Sequence, residues 1–286
     1  MTTPAHPSIA DKRRAFRQLH EAGAGCFVIP NPWDIGSARF LQALGFKALA
    51  TTSSGFAWSR GEPDGAASRD AVLDHLHEIV AATDLPVNAD FENGFGRTPA
   101  DVAESVRLAV ETGIAGVSIE DSTGDRANPL FALDDAVARM RAARSAIDQA
   151  GGDTLLVGRS EGFFVGRPDL EQMIARLKVY SDAGADCLYA PGIRTREQIE
   201  AVVQAVAPKP VNFLNGAAFG HTVADLAGMG VRRISVGGAL ARSAWGGFIR
   251  MAKEIAEQGS FAGFKDAANG GELNGFFAKD KAARDA

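Results

Sequence analysis

Gly116-Val117-Ser118-Ile119-Glu120 is a short apolar run that ends on a carboxylate, and it has a counterpart on either side along the chain. Pro86-Val87-Asn88-Ala89-Asp90 ends on a second carboxylate, and Leu155-Leu156-Val157-Gly158-Arg159 ends on a guanidinium. Ionised groups on separate core strands are costly to bury, because each gives up its hydration. The cost falls when they meet each other, a metal or a ligand at one mouth, as the strand ends of an α/β barrel do.

Outward from these three runs, period and punctuation give strands ending near Ile29, Thr52, Asp90, Glu120, Arg159, Ala190, Leu214 and Gly237. A helix is expected near residues 8–22. Helical spacing then recurs over 37–44, 71–82, 100–112, 133–147, 170–183, 197–206 and 222–227. Glu21-Ala22-Gly23, Ala43-Leu44-Gly45, Glu111-Thr112-Gly113, Asp182-Ala183-Gly184 and Gly228-Met229-Gly230 repeat one joint, in which a left-handed glycine ends a helix just before an apolar strand. Eight βα units predict an α/β fold, a (β/α)8 TIM barrel with an N-terminal helix. An open doubly wound sheet fits less well, because Pro30-Asn31-Pro32-Trp33-Asp34 stands where a Gly-x-Gly-x-x-Gly turn would follow the first strand. The expected organisation is one catalytic domain over 1–259 and an arm over 260–286, whose Gly270-Gly271 and Phe276-Phe277 suggest packing on a neighbouring subunit.

The 286 residues are 46% hydrophobic and 23% charged, with a net charge of −5, which describes a chain able to bury a full core. Its Lys and Arg are scattered, so no footprint for nucleic acid or an anionic membrane is present. No apolar stretch nears the roughly 20 residues needed to span a bilayer, and Met1-Thr2-Thr3-Pro4 lacks a signal-peptide core, so a cytoplasmic location is expected. Cys26 and Cys187 lie in strand-like apolar segments and read as reduced core residues.

Strand parity puts Asn88 and Asp90 on one face, joined by Glu92 if the extended conformation persists; Glu120 or Asp121, but not both, points the same way. Oxygen donors without His or Cys suit Mg²⁺ or Mn²⁺. The alternative is that these carboxylates cap helices or pair with Arg159. Arg159 can hold a carboxylate or enolate oxygen with paired donors, or form an ion pair with Glu161. Thr51-Thr52-Ser53-Ser54-Gly55 could present backbone N–H groups to an anion. His75 and His77, two apart on a helix, face different ways, and His221 alone lies near a strand's carboxyl end. Gly237-Gly238 could form a barrel phosphate site or allow close packing.

Taken in order, Asn31-Pro32-Trp33-Asp34 with Ser37-Ala38-Arg39, Thr52-Ser53-Ser54-Gly55, Asn88-Ala89-Asp90 with Gly94-Phe95-Gly96, Ile119-Glu120-Asp121, Val157 to Phe163 and Ala183-Gly184-Ala185-Asp186 resemble the phosphoenolpyruvate mutase/isocitrate lyase superfamily from about residue 10 to 250. The resemblance implies a TIM barrel whose C-terminal helix is swapped between subunits of a homodimer or homotetramer. It also implies Mg²⁺ at the strand ends and a 2-oxo acid substrate or enolpyruvate-like species. By position, Ser54 and Gly55 match the substrate loop, and Asp64 an acidic residue near the metal. Asp90 and Glu120 match metal-shell carboxylates, and Arg159 the substrate-binding arginine.

Two departures follow. Asn88 stands where many members carry a metal-touching aspartate, with Glu92 a possible substitute. The loop Ser122 to Pro129 lacks the Lys-Lys/Arg-Cys-Gly-His motif of the isocitrate and methylisocitrate lyases and the mutase's Lys-Thr-Asn, leaving Asn128 and Arg126 to line a shorter lid. The expected function is an Mg²⁺-dependent lyase or isomerase of the phosphonomutase-like branch that breaks or rearranges a C–C or C–P bond beside a 2-oxo carboxylate. Isocitrate cleavage itself is not expected. The competing readings are a phosphosugar barrel using Gly237-Gly238 and Asn215-Gly216, and a catalytically degenerate barrel that only binds a 2-oxo acid.

Overall fold

The computed structural model describes residues 6–285. Met1-Thr2-Thr3-Pro4, the basis of the signal-peptide argument, falls outside them, as do Ala5 and the last residue of the expected arm, Ala286. After the opening helix α1 (Ile9–His20) the chain alternates β1 (Phe27–Ile29), α2 (Ile35–Ala43), β2 (Leu49–Ala50), α3 (Ser53–Ser59), α4 (Arg69–Ala82), β3 (Val87–Asp90), α5 (Pro99–Glu111), β4 (Gly116–Glu120), α6 (Leu133–Gln149) and β5 (Leu155–Arg159). It continues with α7 (Leu170–Asp182), β6 (Cys187–Tyr189), α8 (Arg196–Val206), β7 (Val211–Leu214), α9 (Val223–Gly228) and β8 (Arg233–Ser235).

All seven ladders of the eight-stranded sheet are parallel, in the order β1-β8-β7-β6-β5-β4-β3-β2. The Ala50 N–H donates to the Pro30 carbonyl at 3.1 Å and closes the seam between β2 and the end of β1. This is the expected barrel, and the expected glycines Gly23, Gly45, Gly113, Gly184 and Gly230 all have φ between 86° and 105°. Side-chain capping is frequent: Ser8, Asp34, Thr98, Thr195 and Thr222 each complete a reciprocal capping box.

Strand parity sorts the core. Ala89, Val117, Ile119, Leu156, Leu188, Phe213 and Ile234 face outward into the main apolar cluster beneath the helices. Phe16 of α1 plugs the other side, packed with Ile29, Ala50, Ala115 and Leu155 in a separate cluster. Gly116 admits that plug, since a Cβ there would stand 2.6 Å from both the Phe16 ring and the Asn88 Oδ1.

Three strand ends differ from the sequence expectation: β2 stops at Ala50, β6 at Tyr189 and β8 at Ser235. At β2 the cause is Thr52, whose hydroxyl accepts the Gly55 N–H and starts α3 where a loop was expected. The compact barrel unit runs from Pro7 to Gly238, so the helix α10 (Ala239–Gln258) groups with the C-terminal segment and not with the barrel. That second unit continues through a 3-10 turn (Ala262–Asp266) to α11 (Gly270–Arg284). Within it, Glu254 accepts the Ser260 hydroxyl and the Gly263 N–H, which ties the turn to α10. Of the 20 residues of α10 only Ala241 is buried, while Trp245, Phe248 and Ile249 are exposed. No helix among the described residues is long and apolar enough to cross a membrane.

Candidate active site

Parity turns Asn88 and Asp90 of β3, Ser118 and Glu120 of β4, Arg159 of β5, Tyr189 of β6 and Arg233 and Ser235 of β8 toward the barrel interior. The Arg159 guanidinium is the hub of the mouth. Its Nη1 lies 3.1 Å from Asp90 Oδ1 and 3.1 Å from Glu120 Oε2, and its Nε donates to Glu161 Oε1. It also lies over the Tyr189 ring, 5.1 Å from the centroid. The ion pair with Glu161 is therefore present, as one of three. Burial opposes the charge on Arg159, but Glu120 and Glu161 outweigh it and hold the group protonated.

Asp90 is fixed from several sides: its Oδ2 accepts the Ser53 N–H at 2.9 Å, and its own N–H donates to the Thr51 hydroxyl. Asp64 joins the same cluster through the Ser53 side chain; burial raises its pKa, and the Asp90 charge raises it further. Glu92 is close enough for Asp90 and Asp64 to act on it, but it does not arrive by strand parity. The strand ends at Asp90, and Glu92 has a left-handed φ of 47°, so a turn delivers it. Burial, then Asp90 and Asp64, push its pKa up to about 7. Burial likewise raises Glu120 and Glu161, with Arg159 opposing the rise in both.

An acid whose folded pKa lies above its unfolded value stabilises the fold fully below the unfolded pKa and loses that contribution as pH rises through the folded one. For Glu92 the window runs from 4.5 to about 7. In the absence of divalent cations, Glu92→Gln should therefore melt at a higher temperature than the parent at pH 8 and at the same temperature at pH 4. A parent that gains stability on Glu92 ionisation would reverse the order at pH 8.

Glu120 and its neighbour Asp121 divide as expected, one inward and one outward. Asp121 is buried behind the strand ends, where its Oδ2 accepts from the Tyr180 hydroxyl (2.6 Å), Arg176 Nη1 (3.1 Å) and the Ser160 hydroxyl (3.2 Å). Its Oδ1 accepts the Glu161 N–H at 2.7 Å and so positions Glu161 beneath Arg159.

A cavity of about 100 Å³ opens beside this cluster, walled by Ser54, Asp64, Asp90, Arg159, Tyr189 and Arg233 among others. Asn88 also borders it but sits lower than the acidic cluster: its Oδ1 accepts from Arg233 Nη1 (3.3 Å) and its Nδ2 donates to the Ala89 carbonyl. Gly55 is buried outside the wall, with its N–H directed to Thr52 Oγ1. Asn128 is exposed in the hairpin closed by the Ser122–Leu130 bridge, where its side chain faces Asp125. His221 touches the Arg194 carbonyl and borders no part of the cavity. Tyr189, Ser118 and Arg233 border the cavity without having been named as site residues from sequence; inward parity on their strands was the available signal.

At Gly237-Gly238 the phosphosugar alternative finds the Gly237 N–H already engaged. The Val236 and Gly237 N–H groups both bond Asn31 Oδ1 at 2.9 Å, and a Cβ on Gly238 would stand 2.6 Å from Ser54 Oγ. The pair of glycines serves close packing.

Asp64, Asp90, Glu92 and Glu120 supply only oxygen donors. With Glu161 they make five carboxylates around the Arg159 guanidinium. Four of them, Asp64, Glu92, Glu120 and Glu161, are pushed toward protonation by like charge as well as by burial, so added positive charge would relieve the cluster. The set suits a hard divalent cation in type and charge. Among the described residues no three such groups converge to ligand geometry, and Arg159 bridges Asp90 and Glu120.

The family model for phosphoenolpyruvate phosphomutase matches residues 16–256. A crystal structure of a candidate lyase/mutase from Burkholderia cenocepacia J2315 superposes with a TM-score of 0.91 at 50% identity, covering 94% of this chain and 97% of that one. The oxaloacetate decarboxylase of Paraburkholderia xenovorans is 30% identical over 203 residues, 68% of this chain and 66% of its own. The 2-methylisocitrate lyase of Halalkalibacterium halodurans is 30% identical over 217 residues, 74% of this chain and 70% of its own.

Proposed function

Because the chain belongs to the phosphoenolpyruvate mutase/isocitrate lyase superfamily, we propose that it is an Mg²⁺- or Mn²⁺-dependent enzyme of the phosphonomutase-like branch, cleaving a C–C bond beside a small 2-oxo carboxylate, with oxaloacetate as the first substrate to test. The observation that carries this is the meeting of Asp64, Asp90, Glu92 and Glu120 with Arg159 at one end of the barrel. Rearrangement of a C–P bond is the runner-up within the same reading, since both reactions pass through an enolpyruvate-like species. The absence of Cys, His and Lys from Ser122 to Pro129 argues against the methylisocitrate-type cleavage of one relative.

Asp90, Glu120 and Glu92 would hold the cation, and when bound it would act as a Lewis acid on the 2-oxo carbonyl. The chain's own groups do the rest. Arg159, fixed by three carboxylates and the Tyr189 face, offers a rigid donor to the oxyanion that develops as the bond breaks, at no cost in reorganisation. The Ser54 hydroxyl, on the cavity wall, orients the substrate. With oxaloacetate, cleavage releases the distal carboxylate as carbon dioxide and leaves the bonding electron pair on the new enolate, whose carbon then needs a proton. Asp64, at the wall and with its pKa raised by burial and by the Asp90 charge, is the acid placed to deliver it. The cavity, of about 100 Å³, admits a molecule of a few heavy atoms. In the same reading the exposed apolar face of α10 is the element exchanged between copies in a homodimer or homotetramer.

The test is pyruvate release from oxaloacetate, and pyruvate or phosphoenolpyruvate formation from phosphonopyruvate, followed with a coupled dehydrogenase (with pyruvate kinase and ADP for the phosphoenolpyruvate) against a metal-only blank. The expected result is turnover above the blank with Mg²⁺ and none in EDTA. Oxalate binding with no turnover on either substrate would favour the degenerate barrel, and rates equal to the blank with no oxalate binding would refute the reading.

A further inference from the structure

Arg233 is the first residue of β8 and is 2% exposed, deep in the barrel. Its Nε donates to Asn212 Oδ1 at 2.8 Å and its Nη1 to Asn88 Oδ1 at 3.3 Å, so it spans the interior from β8 to β3. Both partners are neutral amides. Burial pushes the Cys187 thiol up to about 11 and the Tyr189 phenol up to about 12, so each is neutral at pH 7. From the side of α1 comes His20, which burial drives down to about 3 and leaves uncharged. Among the described residues no carboxylate pairs with this guanidinium.

An arginine stays charged in a protein, and a buried charge without a counter-charge is costly. The contrast with Arg159 is sharp, since that group already faces Asp90, Glu120 and Glu161. Arg233 borders the same cavity. The cavity therefore has an anionic rim and a cationic floor, and an anion entering it finds unneutralised positive charge only at the bottom.

We propose that Arg233 is a substrate-binding residue: it receives a carboxylate of a small, unbranched carboxylic acid at the cavity floor and leaves the reacting end of that acid toward the acidic rim. The cavity volume, about 100 Å³, suits a ligand of roughly oxalate, pyruvate or oxaloacetate size. The proposal deepens the function above and rests on it for the reaction, but not for the anion.

The test is calorimetric titration of the full-length protein with oxalate in EDTA, which removes the metal from the question. Arg233→Met should weaken binding about 10- to 100-fold, the loss of one or two charge-assisted hydrogen bonds. Asn212→Asp guards against misfolding of that variant. It keeps the oxygen that accepts from Nε and sets a negative charge against the guanidinium, and it should weaken oxalate to a similar extent. Parent-like affinity in Asn212→Asp, or in a folded Arg233→Met, or no oxalate binding by the parent, overturns the proposal. Arg233-dependent binding by a parent that turns over neither substrate leaves this site standing and refutes the reaction. Turnover with oxalate binding unchanged in the variants does the reverse.

Discussion

Arg159→Ala is expected to lower the rate of pyruvate release from oxaloacetate by about 10²–10³, the usual loss when a preorganised donor to a developing oxyanion is removed. The same substitution strips three carboxylates of their shared partner, two of them, Glu120 and Glu161, with raised pKa values. Breaking such a buried cluster costs about 3–5 kcal/mol while the carboxylates remain ionised. Acid relieves that deficit, because protonated Glu120 and Glu161 no longer need a cation. The stability gap between parent and variant, read from urea midpoints, should thus be wider at pH 8 than at pH 5. Arg159→Lys separates the two effects: it restores much of the charge balance and little of the activity, since an ammonium cannot reproduce the donor fork. A variant lacking Arg159 that retained parental kcat/KM would remove the residue from the chemistry.

Asp121→Ala should damage the fold to a similar extent, at about 3–5 kcal/mol, with the urea midpoint as the measure. Asp121 is 2% exposed and accepts four hydrogen bonds, from the Tyr180 and Ser160 hydroxyls, Arg176 and the Glu161 N–H. Its loss strands the Arg176 guanidinium and the Tyr180 hydroxyl, both facing a cavity where their acceptor stood. Asp121→Asn keeps the volume but turns a donor toward donors, so it should recover only part of the stability. Because Asp121 fixes the backbone of Glu161, kcat for oxaloacetate should fall in Asp121→Asn even at temperatures where the variant is folded. Full stability in Asp121→Ala would mean that Arg176 finds another acceptor.

The inward pair Asn88 and Asp90 and the split between Glu120 and Asp121 were legible because a strand has a side-chain period of two, which needs no knowledge of neighbours. The residues after the strands were less so. Glu92 depends on a left-handed turn, and Gly55 on a short helix started by Thr52, both of which override the extended pattern. Asn128 could be placed near the mouth in sequence but not on the cavity wall, because a hairpin's direction follows from its own bonds, here Thr123 to Asn128 and Pro129.

The chain's sequence by itself determined the eight βα units, the sheet's uniform winding and the residue types at the mouth, all of which follow from local period, capping and glycine joints. Only the tertiary structure decided that Arg159 would face three carboxylates while Arg233 would face none. Barrel closure brings β8 beside β1 and sets Arg233 against Asn88, 145 residues away, and the charge environment of a buried group depends on those distant neighbours, on which the local pattern is silent.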